Sequence, residues 1–151
     1  MIELKTKRLD LRETDQSDAS LLSKLQAREG VADYIGEFRI KPPNSHFFTI
    51  LRKQTRLGQV SLVARAGLAS NGFEIICALL PEAEGCGIAT EACQRVFQWA
   101  LEDLHLSVIF ARVHEDNRES LALIGRLGME EHAPRNADGE TIYVKHLLPA
   151  T

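Results

Sequence analysis

The sequence predicts an α/β (α+β) fold with one mixed, mostly antiparallel sheet of about six to seven strands, and three observations carry that prediction. Apolar and polar residues alternate through Val60, Leu62 and Ala64, and the neighbouring runs Phe47 to Lys53 and Phe73 to Leu80 are rich in β-forming types. Pro81 stops the last of these runs, and Ile88, Ala92, Val96, Trp99 and Ala100 then recur near the helical period. Beyond that helix, Ser107 to Val113 is nearly continuous in apolar residues, as expected of a strand covered on both faces. A meander has given way to a crossover.

The elements follow in order. Ile2 to Glu13 alternates through Leu4, Leu9 and Leu11 and reads as one strand; Thr14, Asp15 and Asp18 are capping types that open a helix running to about Arg28. From Glu29 to Ser45, Gly30, Gly36, Pro42 and Pro43 break any period, which predicts an irregular segment with at most one helical turn. Phe47 to Lys53 and Gln59 to Arg65 form a hairpin around Gln54 to Gly58, and Asn71-Gly72 turns the chain into Phe73 to Leu80. After the long helix and the apolar strand, Asn117 to Leu127 is a second short helix with Leu123, Ile124 and Leu127 inward, ended by Gly128. Met129 to His132 and Thr141 to Leu148 close the chain as a hairpin around Asn136, Asp138 and Gly139.

Size and composition narrow the function. With 151 residues, 44% of them hydrophobic, one core is the default and a single domain over 1–151 is expected. The net charge of −3 is spread without blocks, so no basic stripe is available to neutralise nucleic-acid phosphates. Glu3, Lys5, Lys7 and Arg8 preclude an apolar signal core, and no window approaches the roughly 18 apolar residues of a membrane helix. A cytoplasmic protein without membrane or nucleic-acid partners is expected. Cys77, Cys86 and Cys93 lack a CxxC pair and read as reduced packing thiols. His46, His105, His114, His132 and His146 lie on separate elements without metal-ligand spacing, so no metal is expected.

The segment Pro81-Glu82-Ala83-Glu84-Gly85-Cys86-Gly87-Ile88-Ala89-Thr90 carries the chemistry: a strand stop, a glycine-bearing loop and a helix start. Helix starts present unpaired N–H groups and the positive end of the macrodipole, and glycines allow an anion to approach that backbone. No Gly-Lys-Ser/Thr ending is present and only two glycines stand where a dinucleotide fingerprint has three, which argues against nucleoside-triphosphate and dinucleotide loops. Simple turn chemistry produces the same local pattern.

Taken together, several motifs resemble the GNAT (GCN5-related N-acetyltransferase) superfamily, especially its RimJ/RimL-like branch. Thr6-Lys7-Arg8-Leu9-Asp10-Leu11-Arg12 is similar to that branch's opening strand, and Glu74-Ile75, Pro81, Gly87 and Ala89-Thr90-Glu91-Ala92 fall at the family's spacing. Asn117-Arg118-Glu119-Ser120 and Leu127-Gly128-Met129 resemble its later motifs. The resemblance implies a central strand pair that splays apart, with helices on both faces of the sheet, and acetyl-CoA as acyl donor. Backbone groups of Leu79 and Leu80 would pair with pantetheine, the amides of Gly85, Cys86, Gly87, Ile88, Ala89 and Thr90 would hold the pyrophosphate, and Asn117 and Ser120 would face the thiol end.

The implied activity is transfer of an acetyl group to a primary amine, either a protein N-terminus or a small molecule. Glu74 is the candidate base, with an edge-strand carboxylate facing solvent as its alternative; Ser120 is the candidate proton donor, with cofactor contact or helix capping as its alternative. A main-chain N–H near Leu79 would stabilise the oxyanion. Three departures from the family pattern stand out: Glu84 and Cys86 where basic or amide side chains are usual, and Ile124 where many members carry a tyrosine acid. They keep a second reading in play, a non-catalytic GNAT-fold module that binds acyl-CoA or a partner. The proline-broken stretch Gly30 to Ser45 suggests an open acceptor site, and strand edges allow either a monomer or a homodimer.

Overall fold

The computed structural model describes residues 1–27, 44–65, 72–134 and 136–148. The expected irregular segment Glu29 to Ser45 lies almost entirely outside the described residues, as does Asn71 of the expected Asn71-Gly72 turn. One sheet of eight strands runs through the molecule in the order β1-β2-β3-β4-β5-β6-β8-β7. The strands are β1 (Glu3–Lys5), β2 (Asp10–Glu13), β3 (His46–Arg52), β4 (Thr55–Arg65), β5 (Gly72–Leu79), β6 (Val108–His114), β7 (Glu130–Ala133) and β8 (Glu140–His146). The helices are α1 (Ala19–Gln26), α2 (Ile88–Glu102) and α3 (Arg118–Leu127). Among the described residues no helix is long and apolar enough to cross a membrane.

The eighth strand comes from a correction at the start of the chain. The single strand read over Ile2 to Glu13 is a hairpin, with Glu3 opposite Arg12 and Lys5 opposite Asp10. Thr6 makes the reversal: its N–H donates to the Leu9 carbonyl at 2.9 Å and its hydroxyl accepts from the Leu9 N–H at 2.9 Å. The alternation was right; the turn has no glycine or proline to announce it. Similarly, β3 and β4 meet at a two-residue turn, Lys53-Gln54, where both residues have positive φ (48° and 67°). This is the geometry of a tight primed hairpin turn, which carries the strands closer together than the gap read at Gln54 to Gly58.

The helix stripes fall inward as the periodicity predicts. Ile88, Ala92, Val96, Trp99 and Ala100 are all buried, joined by Cys93 and Phe97, and Ile124 and Leu127 of α3 enter the same cluster with Leu123 packed against it. Fully burying a Leu, Ile, Val or Phe side chain contributes roughly 1.5–3 kcal/mol, so this stripe fixes α2 against the sheet. Trp99 meets Phe48 edge-on at 5.4 Å and the His46 ring at 4.9 Å. On the opposite face Leu21, Leu22 and Leu25 of α1 pack on Ala78 and Leu80. Helices therefore cover both faces.

β4 and β5 pair without interruption from Gly58 opposite Leu79 to Arg65 opposite Gly72. A Cβ on Gly58 would stand 2.2 Å from the Ala78 carbonyl oxygen and 2.9 Å from the Leu79 Cα, both main-chain atoms that cannot step aside. Gly58→Ala is expected to cost about 2 kcal/mol, lowering the thermal midpoint by roughly 5 °C. A thermal melt followed by circular dichroism checks this; an unchanged midpoint would mean that the two strands part without cost.

Candidate cofactor cleft and active site

Among the described residues the parallel strands β5 and β6 share a single main-chain bridge, Glu74 opposite Phe110. Each is otherwise laddered along its far side, β5 to β4 over its whole length and β6 to β8 from Val108 opposite His146 to His114 opposite Glu140. Beyond Glu74 and Phe110 no further rung joins the two strands among the described residues, as expected of the splayed central pair that the resemblance implies. In a strand, alternate residues direct their N–H and C=O groups to opposite neighbours, so the inner groups of 75–79 and 111–114 face a gap that an extended ligand can fill as an added strand.

Leu80 is not one of those groups. Its N–H donates to the Leu57 carbonyl at 2.8 Å, its carbonyl accepts from the Ala83 N–H at 2.9 Å, and its side chain is buried under α1. The expected pairing of Leu80 with pantetheine is corrected on this ground: β4 and the turn after Pro81 have already taken its main-chain groups. Leu79 is the last residue of β5.

The gap ends over the loop before α2. Glu84 donates its N–H to the Pro81 carbonyl at 3.2 Å, and Glu91 closes the first helical bond on the Gly87 carbonyl at 3.1 Å. Between them, the amides of Gly85, Cys86, Gly87, Ile88, Ala89 and Thr90 make no loop or cap main-chain bond among the described residues. Gly85 and Gly87 have φ of 80° and 76°, left-handed values that glycine adopts without penalty and that turn successive N–H groups toward one side. Gly87 is the N-cap of α2 and no side chain caps that helix, so its positive end is left for an anion.

Two arginines flank this loop, and neither stood out in the sequence as a site residue. Arg126, in the last turn of α3, donates from Nε to the Thr90 hydroxyl at 3.0 Å; its terminal nitrogens are without a partner among the described residues. Arg8 pairs with Glu91 at 2.8 Å and lies 3.5 Å from where a Gly87 Cβ would stand. Burial pushes the Glu91 carboxyl up, but bonds from the Thr6 hydroxyl and the Arg8 guanidinium outweigh it and hold the group below its usual value. Only the packing of α3 and the β1–β2 turn onto the start of α2 reveals these neighbours. Of the two glutamates near the loop, Glu82 is exposed and Glu84 half-buried. Cys86 is exposed, its thiol 3.7 Å from the Glu84 carbonyl oxygen.

Glu74 is neither on an edge strand nor facing solvent, so that alternative is overturned: β5 sits between β4 and β6, and the side chain is 1% exposed. Its carboxylate accepts from Arg112 twice, Nε to Oε2 at 3.3 Å and Nη2 to Oε1 at 3.2 Å, and pairs with Arg65 Nε at 3.2 Å. Ser120 is half-buried in the first turn of α3, and its hydroxyl makes no hydrogen bond among the described residues. Its N–H is capped by the Asn117 carboxamide oxygen at 3.1 Å, which gives Asn117 a structural task. Ile124 is buried in the main core, leaving no acid where the family's tyrosine would stand. The Cys93 thiol, hydrogen-bonded to Cys77 and buried, is pushed well above its ordinary value and is a poor nucleophile.

Comparison with solved structures places this arrangement among known ones. An acetyltransferase from Agrobacterium tumefaciens superposes with a TM-score of 0.81 at 25% identity, covering 97% of this chain and 95% of that one. Spermidine N-acetyltransferase from Vibrio cholerae, solved in complex with CoA and spermine, gives 0.73 at 18% identity over 94% and 97%. Ribosomal-protein-S5-alanine acetyltransferase from Vibrio fischeri gives 0.74 at 15% identity over 97% and 97%. No curated protein matches the sequence. The family model described as acetyltransferase (GNAT) domain matches residues 8–130, which takes in the splayed strands, the glycine loop and α3, and the chain therefore belongs to the GNAT acetyltransferase family.

Proposed function

We propose that this protein transfers an acetyl group from acetyl-CoA to a primary amine by direct attack within a ternary complex. The observation that carries the reading is the gap between β5 and β6 ending over a row of amides at the start of α2. The residues fit the donor at both ends: strand main chain for an amide-bearing arm, and helix-start N–H groups for a pyrophosphate. Arg126 supplies there the positive charge that Glu84 and Cys86 do not. Repulsion from Glu82 and Glu84 is screened over roughly 8–10 Å at physiological salt.

Acetyl-CoA, when bound, supplies the acyl group as a thioester. The chain's own work is placement, which alone removes much of the barrier to a bimolecular attack. A main-chain N–H toward the end of β5, near Leu79, would stabilise the oxyanion. Glu74 receives the amine's proton through a chain of waters, because its carboxylate is buried and lies about 16 Å along the strand from the Leu79 end. Ser120, whose hydroxyl has no other partner among the described residues, returns a proton to the departing thiolate.

The acceptors named for two of the relatives, spermidine and an alanine of a ribosomal protein, both offer a primary amine, and that shared group is the one proposed here. A RimJ/RimL-like peptide N-terminus and a small amine are the two forms to test. Release of free thiol from acetyl-CoA should rise above the blank with at least one member of a panel of polyamines and short peptides, and Arg126→Ala should raise the KM for acetyl-CoA about fivefold with kcat little changed. Buried Ile124 favours one other reading, a module that holds acyl-CoA without turnover. Tight acetyl-CoA binding with no thiol release across the panel would select it.

A further inference from the structure

We infer that Arg65, Glu74 and Arg112 form a pin that sets how wide the cofactor cleft opens, which makes the two arginines positioning residues for coenzyme A. The inference rests on coenzyme A occupying the gap between β5 and β6. Its grounds lie in how the sheet is joined. The strands β1 to β5 form one continuous ladder and β6, β8 and β7 another, and among the described residues the only main-chain bridge between the two ladders is the pair Glu74 and Phe110. On the α2 side, one apolar cluster containing Ile75 and Ile109 spans both ladders. The opposite side holds a different kind of link.

Glu74 belongs to the first ladder and faces the α1 side, since its strand neighbour Ile75 packs in the cluster on the α2 side and Ala78, an even number of residues on, packs under α1. Arg65, from β4, holds it from within the same ladder at 3.2 Å. Arg112 belongs to the second ladder, two residues beyond Phe110 toward the open end, and its side chain returns across the first rung of the gap to make two bonds with Glu74. A buried carboxylate is thus clasped by guanidinium groups from both ladders at the point where the strands begin to part. Paired forks of this kind fix orientation as well as distance.

Geometry magnifies whatever happens at the pin. Leu79 lies about 16 Å along the strand from Glu74, at about 3.3 Å per residue. A rotation of roughly 5° at the pin moves the Leu79 end by about 1.4 Å, enough to take a main-chain hydrogen bond beyond its working range. Loss of Arg112 therefore acts on cofactor grip before it acts on the chemical step.

The test has two arms. In the first, Arg112→Met is expected to weaken acetyl-CoA binding at least tenfold by calorimetry, and Arg112→Lys, which keeps the charge, should recover part of the affinity. An unchanged dissociation constant with a lowered kcat would overturn the inference, leaving Arg112 as a partner of the base alone. If Arg112→Met does not fold, Arg112→Lys decides: at least threefold weaker binding supports the pin and wild-type affinity rejects it. The second arm needs no cofactor. Amide hydrogen exchange in the peptide containing Phe110 should speed up at least tenfold in whichever of these Arg112 variants folds while β3 is unaffected, and no change would sink the pin even if the wild type failed to bind acetyl-CoA, a failure that counts against the proposed function instead.

Discussion

Gly87→Glu is expected to weaken acetyl-CoA binding at least about a hundredfold while the protein remains folded. The substitution places a carboxylate at the N-cap of α2, beside the amides of Gly85 to Thr90 that are proposed to hold the pyrophosphate. Two like unit charges 4 Å apart at an effective dielectric of 20 repel by about 4 kcal/mol, and a hundredfold loss needs only about 2.7 kcal/mol. Strain is a separate cost to folding stability, because φ at Gly87 is 76° and an L side chain there costs roughly 1–2 kcal/mol. The nearest atom to the new Cβ is Arg8 Nη2 at 3.5 Å, an ordinary contact, so no clash with main chain accompanies the change. Calorimetric titration beside a thermal melt checks both halves. Wild-type affinity in a folded variant would mean that the pyrophosphate does not rest on this loop.

The second large effect lies in stability. Asp18, fully buried, accepts from Arg12 at 2.8 and 3.2 Å, from Arg56 at 2.7 Å and from the Asp15 N–H at 2.9 Å. It ties β2 and β4 to the start of α1. Burial pushes its carboxyl up, but the bonds from Arg12, Arg56, the Asp15 N–H and the Thr49 hydroxyl outweigh that and bring it down to about 2. A group whose folded value lies below its unfolded one contributes stability that is complete above the unfolded value, near 3.9, and is lost as pH falls through the folded value. The window is therefore about pH 4 down to pH 2, and the contribution is about 2 kcal/mol. Asp18→Asn is expected to lose that amount at neutral pH and also to strand two arginines against a neutral amide, for a total near 3 kcal/mol and a thermal midpoint lower by roughly 10 °C. Melts from pH 7 to pH 2 should show the variant's deficit shrinking across the acid window; a deficit that stays constant would remove the charge from the explanation.

Much of this fold was legible because it is written in local patterns. The stripe from Ile88 to Ala100, the alternation in β4 and the stop at Pro81 each follow from a period or a residue type that has few other outcomes. The glycine loop before α2 was legible for the same reason, since Gly85 and Gly87 stand between the stop at Pro81 and the helical stripe. The Thr6 turn between β1 and β2 was hidden, because it rests on a side-chain hydroxyl bonded to Leu9 and to a glutamate far along the chain. Arg126 and Arg8 were hidden as well: their place beside the loop depends on which elements pack against α2.

By itself the sequence determined the order of elements after the first hairpin, the faces they bury and the glycine loop before α2, all consequences of spacing along one stretch of backbone. Only the tertiary structure decided that Leu80 spends its N–H on Leu57, that Glu74 lies buried between Arg65 and Arg112, and that β5 and β6 share one rung before they part. These are contacts between segments distant in the chain, and a hydrogen bond or ion pair across such a distance depends on register and approach that no local pattern encodes.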